Sequence, residues 1–248
     1  MRYCLVFVFL LAYGAAAAQE EDKSWSVSGY VKDLVTINIA DDSTLADNLI
    51  HTRLNFSWNP SKAFNLHVEM RNRFFFGDLA STIPNYGEVI DVNNDYLDLS
   101  YYTPQNEHWL FHTMIDRAYL EWHNEKWEVR LGRQRINWGV NLVWNPNDIF
   151  NSYSFFDFDY EERPGSDAIR IKRYTSFASS MELAVSLHED FDKTVIAGMY
   201  KFNMHSYDLQ LFIGKAREDL TIGLGWAGNL GDAGLKGELS YLHPDQDQ

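Results

Sequence analysis

Arginines and carboxylates spaced two apart among apolar residues are the side chains of this sequence best placed for chemistry. Arg53, Arg71, Arg73, Arg117, Arg130 and Arg170, with Lys172, fall on the polar parity of alternating runs, and Glu69, Glu121, Glu128 and Glu182 share it. Charges of both signs on one face can hold and orient a polar solute without making or breaking a bond. Covalent chemistry has poorer candidates. No G-x-S-x-G occurs, and Gly165-Ser166-Asp167 follows Pro164 with no histidine base placed for it. His108 and His112 have the i, i+4 spacing of a helical metal pair, but Trp109, Leu110 and Phe111 between them supply no third ligand. Asp91, Asn93, Asp95 and Asp98 mimic the alternating oxygens of a calcium loop. Tyr96, however, stands at the sixth place, where the sharp turn needs glycine, so a solvated acidic loop is the default. With no phosphate loop, dinucleotide fingerprint or cysteine-based metal site in the mature part, the expectation is no catalytic residue, no metal and no cofactor.

Strands must hold such charges in register. From Trp25 the odd positions read Trp25, Val27, Gly29 and Val31, then Val35, Ile37 and Ile39, and the even ones Ser26, Ser28, Tyr30, Lys32, Thr36 and Asn38. Ile50, Thr52, Leu54, Phe56 and Trp58 then oppose His51, Arg53, Asn55 and Ser57, and after the turn Asn59-Pro60-Ser61-Lys62 the pattern resumes from Phe64 to Phe74. Similar period-two runs fall at roughly 113–123, 127–136, 167–174, 179–188, 193–203, 206–216, 220–228 and 233–242, about eleven strands in all. Each is close to the 9 to 11 residues of a tilted bilayer-crossing strand. Apolar faces ending in Trp25, Trp58, Phe74, Trp122, Trp127, Trp226 and Tyr241 suit a lipid-facing band with aromatic girdles.

The amino terminus carries an address. Arg2, an apolar core from Leu5 to Leu11 and the Ala15–Ala18 run before Gln19 read as a secretory signal peptide over 1–18, leaving 19–248 as the mature barrel. The one cysteine, Cys4, lies inside it, so no disulfide framework is available. The 248 residues carry a formal charge of −14, which argues against nucleic acid, and removing Arg2 leaves 20 basic against 35 acidic residues. Hydrophobic content of 46% excludes a disordered chain, and 15% aromatic residues with only 6 prolines favours β structure.

Alternation also suits a soluble sandwich, but two features favour a membrane barrel. The polar face is rich in paired-sign charges rather than Thr, Ser and Lys, as a water-filled lumen would be. Connections on the side of the amino terminus are brief, whereas the far side has about 38 residues from Phe75 to His112 and about 30 from Asn137 to Ser166. Short periplasmic turns with long outer loops mark outer-membrane barrels.

Gly132-Arg133-Gln134, followed by Trp138-Gly139 and then Asn145-Pro146-Asn147-Asp148, resembles the G-R-Q-x-x-x-W-G signature of Gram-negative outer-membrane porin-like barrels, among them the alginate-export-like group. The resemblance covers about 20 residues. It implies a strand leaving the membrane into an outer loop, and a third outer loop folded inward as a constriction. Strict parity would put Arg133 and Arg135 in lipid, at about 2 to 4 kcal/mol each at midplane. They are therefore expected at the rim or beside a bulge at Gly132, either solvated and bonding headgroups or anchoring the following loop through bidentate bonds to carboxylates.

That loop is too apolar to stand free in water, with Trp144, Phe150, Tyr153, Phe155, Phe156, Phe158 and Tyr160. Packed inward, its Asp148, Asp157, Asp159, Glu161 and Glu162 would face a basic wall of the six arginines first named; the alternative is that these arginines pair with neighbours and brace the wall. The fold expected is all-β, a transmembrane antiparallel up-and-down barrel. An odd strand number and a last run leading outward into His243–Gln248, without the terminal aromatic that the resemblance implies, suggest a longer barrel cut short. The reading is a channel for small hydrophilic solutes in the outer membrane, with lipid and the barrel assembly machinery as partners. A non-conducting adhesin or structural barrel and a secreted soluble β-rich ligand-binding protein are the rivals.

Overall fold

The computed structural model describes residues 23–40, 43–91, 95–104, 108–141, 144–151 and 165–244. The signal peptide over 1–18 lies outside them, as do Asp157, Asp159, Glu161 and Glu162. The described strands are β1 (Trp25–Ala40), β2 (Ser43–Ser61), β3 (Phe64–Gly77), β4 (Ser100–Tyr102), β5 (Trp109–His123), β6 (Trp127–Gln134), β7 (Ser166–Ser176), β8 (Ser179–Ser186), β9 (Val195–Met204), β10 (Tyr207–Ala216), β11 (Asp219–Leu230) and β12 (Ala233–His243). Two short helices, α1 (Asp78–Thr82) and α2 (Tyr86–Ile90), lie between β3 and β4.

All twelve strands belong to one antiparallel sheet. Eleven follow one another up and down in chain order, and β4 pairs with β5 beside that path. The eleven match the runs of alternation; β4 is too short to show a period. β2 starts earlier than the sequence suggests, at Ser43, because its pairing with β1 runs unbroken from Trp25↔Trp58 to Ala40↔Ser43. Among the described residues β1 pairs only with β2 and β12 only with β11, so the sheet is open rather than a closed barrel.

The two faces are sorted in the reverse of a water-soluble protein. Along β8, Ser180, Glu182, Ala184 and Ser186 are buried while Met181 and Leu183 are exposed. Arg53 is 1% exposed, yet its neighbour Leu54 is 49% exposed. The apolar face continues across the sheet through Phe56, Leu120, Leu131, Ile169, Leu211, Ile213, Ile222 and Leu239, all exposed. Apolar patches that continue across a whole sheet are rare on soluble monomers and mark surfaces covered by lipid, protein or ligand.

Two backbone irregularities aim residues off strict parity. Glu69 faces Arg117 and Met70 faces Ile115, which leaves Asp116 as the extra residue of a β-bulge in β5. At Gly132 φ is +116°, and a Cβ there would collide with the carbonyl oxygen of Ala118, so only glycine fits.

Candidate functional site

The covered face carries a ladder of charges that crosses the sheet strand by strand. Arg53 of β2 donates to Asp116 of β5 and, at 2.5 Å, to Glu69 of β3. Glu69 also accepts from Arg117 at 3.1 Å. Arg130 of β6 lies 2.5 Å from Glu121 and 3.2 Å from Glu128, and Arg170 of β7 lies 3.4 Å from Glu128 and 3.0 Å from Glu182 of β8. Arg71 stands 4.0 Å from Asp116, and Arg73 donates to the Ile90 carbonyl and packs over Phe75. Antiparallel register sets opposite charges side by side on adjacent strands, where each pair offsets part of its own desolvation. The six arginines thus share their wall with carboxylates, which differs from a purely basic wall: Glu69, Glu121, Glu128 and Glu182 have their parity and therefore their face.

The segment after β6 lies across this face. Ile136, Trp138 and Phe150 are buried against Ala168, Ala184, Val195, Ala197, Met199 and Phe212. The Trp138 indole N–H donates to Glu182 at 2.7 Å, its ring meets Phe150 edge-on at 4.8 Å, and Gln210 of β10 donates to its carbonyl at 2.5 Å. Glu238 of β12 accepts from the backbone N–H groups of Val140, Asn141 and Asn147. Asn147 donates to the Leu224 carbonyl at 3.0 Å and accepts from Ser240 at 2.7 Å. Of the apolar side chains expected inward, Phe150 is buried and Trp144 is 77% exposed, while Tyr153, Phe155, Phe156, Phe158 and Tyr160 lie outside the described residues. Asp148 is buried and lies 3.7 Å from Arg135 of the same segment.

Arg133 holds a different junction. Its guanidinium makes a bidentate pair with Asp167 of β7, at 3.0 and 2.9 Å, and also donates to the carbonyls of Leu97 and Ile115. The Leu97 N–H donates to Asp167 Oδ2, the oxygen that also accepts from Arg133, so one ion pair joins β5, β6, β7 and the bend before β4. Arg133 is buried, not solvated at a rim.

Asp95 lies 3.7 Å from Arg133, and burial pushes its carboxyl up to about 6, with Arg133 opposing and Asp167 adding to the rise. The folded chain therefore holds this proton more tightly than the unfolded one. The stabilisation is complete below the ordinary value of 3.8 and is lost as pH rises through about 6. Lowering pH from 7.5 to 5 should slow amide exchange at Leu97 and Ile115, after correction for intrinsic rates, by an amount on the order of 1 kcal/mol. Asp95→Asn should remove that pH dependence; an unchanged dependence would assign it to another group.

The weaker constellations are engaged separately. Asp91 pairs with His112 at 3.0 Å, and Asp98 caps Ser100 through its N–H and hydroxyl; Asn93 lies outside the described residues. His112 is in strand β5 rather than a helix, and among the described residues no group of three His, Cys, Asp or Glu side chains converges for a metal. Ser166 donates to the Phe150 carbonyl and accepts from Asn151, while Asp167 is taken by Arg133.

Sequence reasoning missed Asp116, Glu238 and Gln210. The adjacent pair Asp116-Arg117, opposite charges at successive positions of a strand, is a visible sign of a bulge. Glu238 and Gln210 carry no such sign. Comparison of the sequence and fold with family models, with curated proteins and with solved structures finds no match.

Proposed function

We propose that the chain forms the wall of an outer-membrane β-barrel channel for small hydrophilic solutes, narrowed by the segment that follows β6. The observation that carries this reading is the reversed polarity of the sheet: charged residues on the covered face, a continuous apolar band on the exposed one. Lipid would cover that band, and water would fill the space beside the charge ladder. The reading includes export by the amino-terminal signal and insertion by the barrel assembly machinery. No covalent step is assigned to the charged face. A non-conducting barrel is the second reading, favoured by how fully Trp138 and Phe150 fill the space over β7 to β10.

Membrane fractionation tests the first part. The protein should sediment with outer membranes and leave them only with detergent; recovery as a soluble monomer would overturn the barrel. Single-channel recording in planar bilayers tests the second. Stepwise conductance is expected, and silence across salts and voltages would establish the closed barrel instead.

A further inference from the structure

Two cavities of unlike character lie along the segment after β6. The first, about 260 Å³, lies beside Arg135 and Asn137 and is walled by Arg130, Arg170, Lys172 and Lys201. The second, about 340 Å³, lies beyond Gly139 and Val140 toward the β7–β8 turn and is walled by Val140, Tyr174, Phe202 and Leu209. Trp138, in the same segment, is fixed by Glu182 through its indole N–H and by Gln210 through its carbonyl. Lys201 of β9 lines both cavities.

The cations of the first cavity are not equally committed. Arg130 and Arg170 are each shared between two carboxylates. Among the described residues no carboxylate lies within ion-pair distance of Lys172 or Lys201; the Lys172 ammonium sits 4.8 Å over the Tyr174 ring. Glu182 is held by Arg170 and Trp138, which leaves the two lysines to meet an incoming anion. In the second cavity the one carboxylate is Asp208, which disfavours an anionic group there, while the apolar walls favour hydrocarbon. An apolar space of about 150 Å³ already accepts a benzene ring.

We propose that the two cavities form one binding site for a small amphiphilic carboxylate. Its anionic end is held by Lys172 and Lys201, and its ring or short chain lies under Val140 against Phe202 and Leu209. The assignment rests on the charged face being a solute path and names the class of solute that pauses there. Lys201 stands where the charged and apolar halves meet, so it contacts the bound carboxylate directly.

Isothermal titration of the detergent-purified full chain with benzoate, benzamide and inorganic phosphate tests this. Benzoate should bind saturably, benzamide and phosphate about tenfold more weakly or worse. Lys201→Gln should weaken benzoate about tenfold, and the exposed Lys193→Gln should not. If Lys201→Gln fails to fold, Lys172→Gln is expected to show the same loss. Phosphate binding as well as benzoate would reduce the site to a cationic patch, and benzamide binding as well as benzoate would remove the role of charge. Absence of saturable benzoate binding would overturn the site. Binding is read without a membrane, so benzoate uptake by a protein that never conducts would overturn the channel and keep the site, and conductance without benzoate binding would do the reverse.

Discussion

Arg53→Ala should lower the unfolding midpoint in urea more than any other single arginine replacement on the charged face, by a free energy of about 3 to 5 kcal/mol. Arg53 is 1% exposed and holds two carboxylates, Glu69 and the 2%-exposed Asp116. Removing it takes the close guanidinium partner from the buried Asp116, whose other arginine, Arg71, stands at 4.0 Å, and a buried charge that loses its partner costs far more than the pair was stabilising. Arg170→Ala is expected to cost less, since Arg170 is 14% exposed and the carboxylates it leaves keep other partners, Arg130 for Glu128 and the Trp138 indole for Glu182. Pairing Arg53→Ala with Asp116→Asn should recover part of the loss. Equal midpoints for Arg53→Ala and wild type would mean that water already screens this ladder. The triple replacement of Arg53, Arg71 and Arg117 by alanine separates bracing from solute selection. A reversal potential shifted toward cations would assign the arginines to the pore field, and a lowered midpoint with selectivity kept would assign them to the wall alone.

The strands and their order were legible because alternation is a local property: each run of β5 to β12 shows its period without knowledge of its neighbours. What alternation leaves out is register. The bulge that brings Asp116 onto the face of Arg117 exists only because Glu69 faces Arg117 and Met70 faces Ile115, a fact about two strands rather than one. The same holds for the charge ladder, where parity placed arginines and glutamates on one face but could not say that Arg130 would meet both Glu121 and Glu128. Arg133 illustrates the limit from the other side. A bidentate carboxylate partner was among the readings of its place before a loop, but the identity of that partner, Asp167, depends on where the chain re-enters the sheet more than 30 residues later. Helices α1 and α2 are a single turn or so each, too short for a 3.6-residue period to show.

Glu238→Ala should release the segment after β6 from the sheet and, if the chain conducts, raise its conductance. The Glu238 carboxylate accepts three backbone N–H groups, from Val140, Asn141 and Asn147, so a single side chain on β12 closes a ring that begins and ends within one segment. Hydrogen bonds to a charged acceptor contribute about 1.5 to 3 kcal/mol each, though three on one carboxylate share its charge and fall short of the sum. A local destabilisation of about 3 kcal/mol is therefore expected, read as faster amide exchange at Val140, Asn141 and Asn147. Glu238→Gln keeps the shape and an acceptor oxygen but loses the charge, and should fall between the two. Trp138 sets the limit of the effect. Its indole remains bound to Glu182, its carbonyl to Gln210, and its ring packed on Phe150 and Phe212, so the segment should swing at its Val140–Asn147 end while staying pinned at Trp138. In a planar bilayer that motion should appear as a larger, noisier conductance. Fast exchange with unchanged conductance would place the narrowest point at Trp138 itself, and slow exchange in Glu238→Ala would show that Asn147, through Leu224 and Ser240, holds the segment unaided.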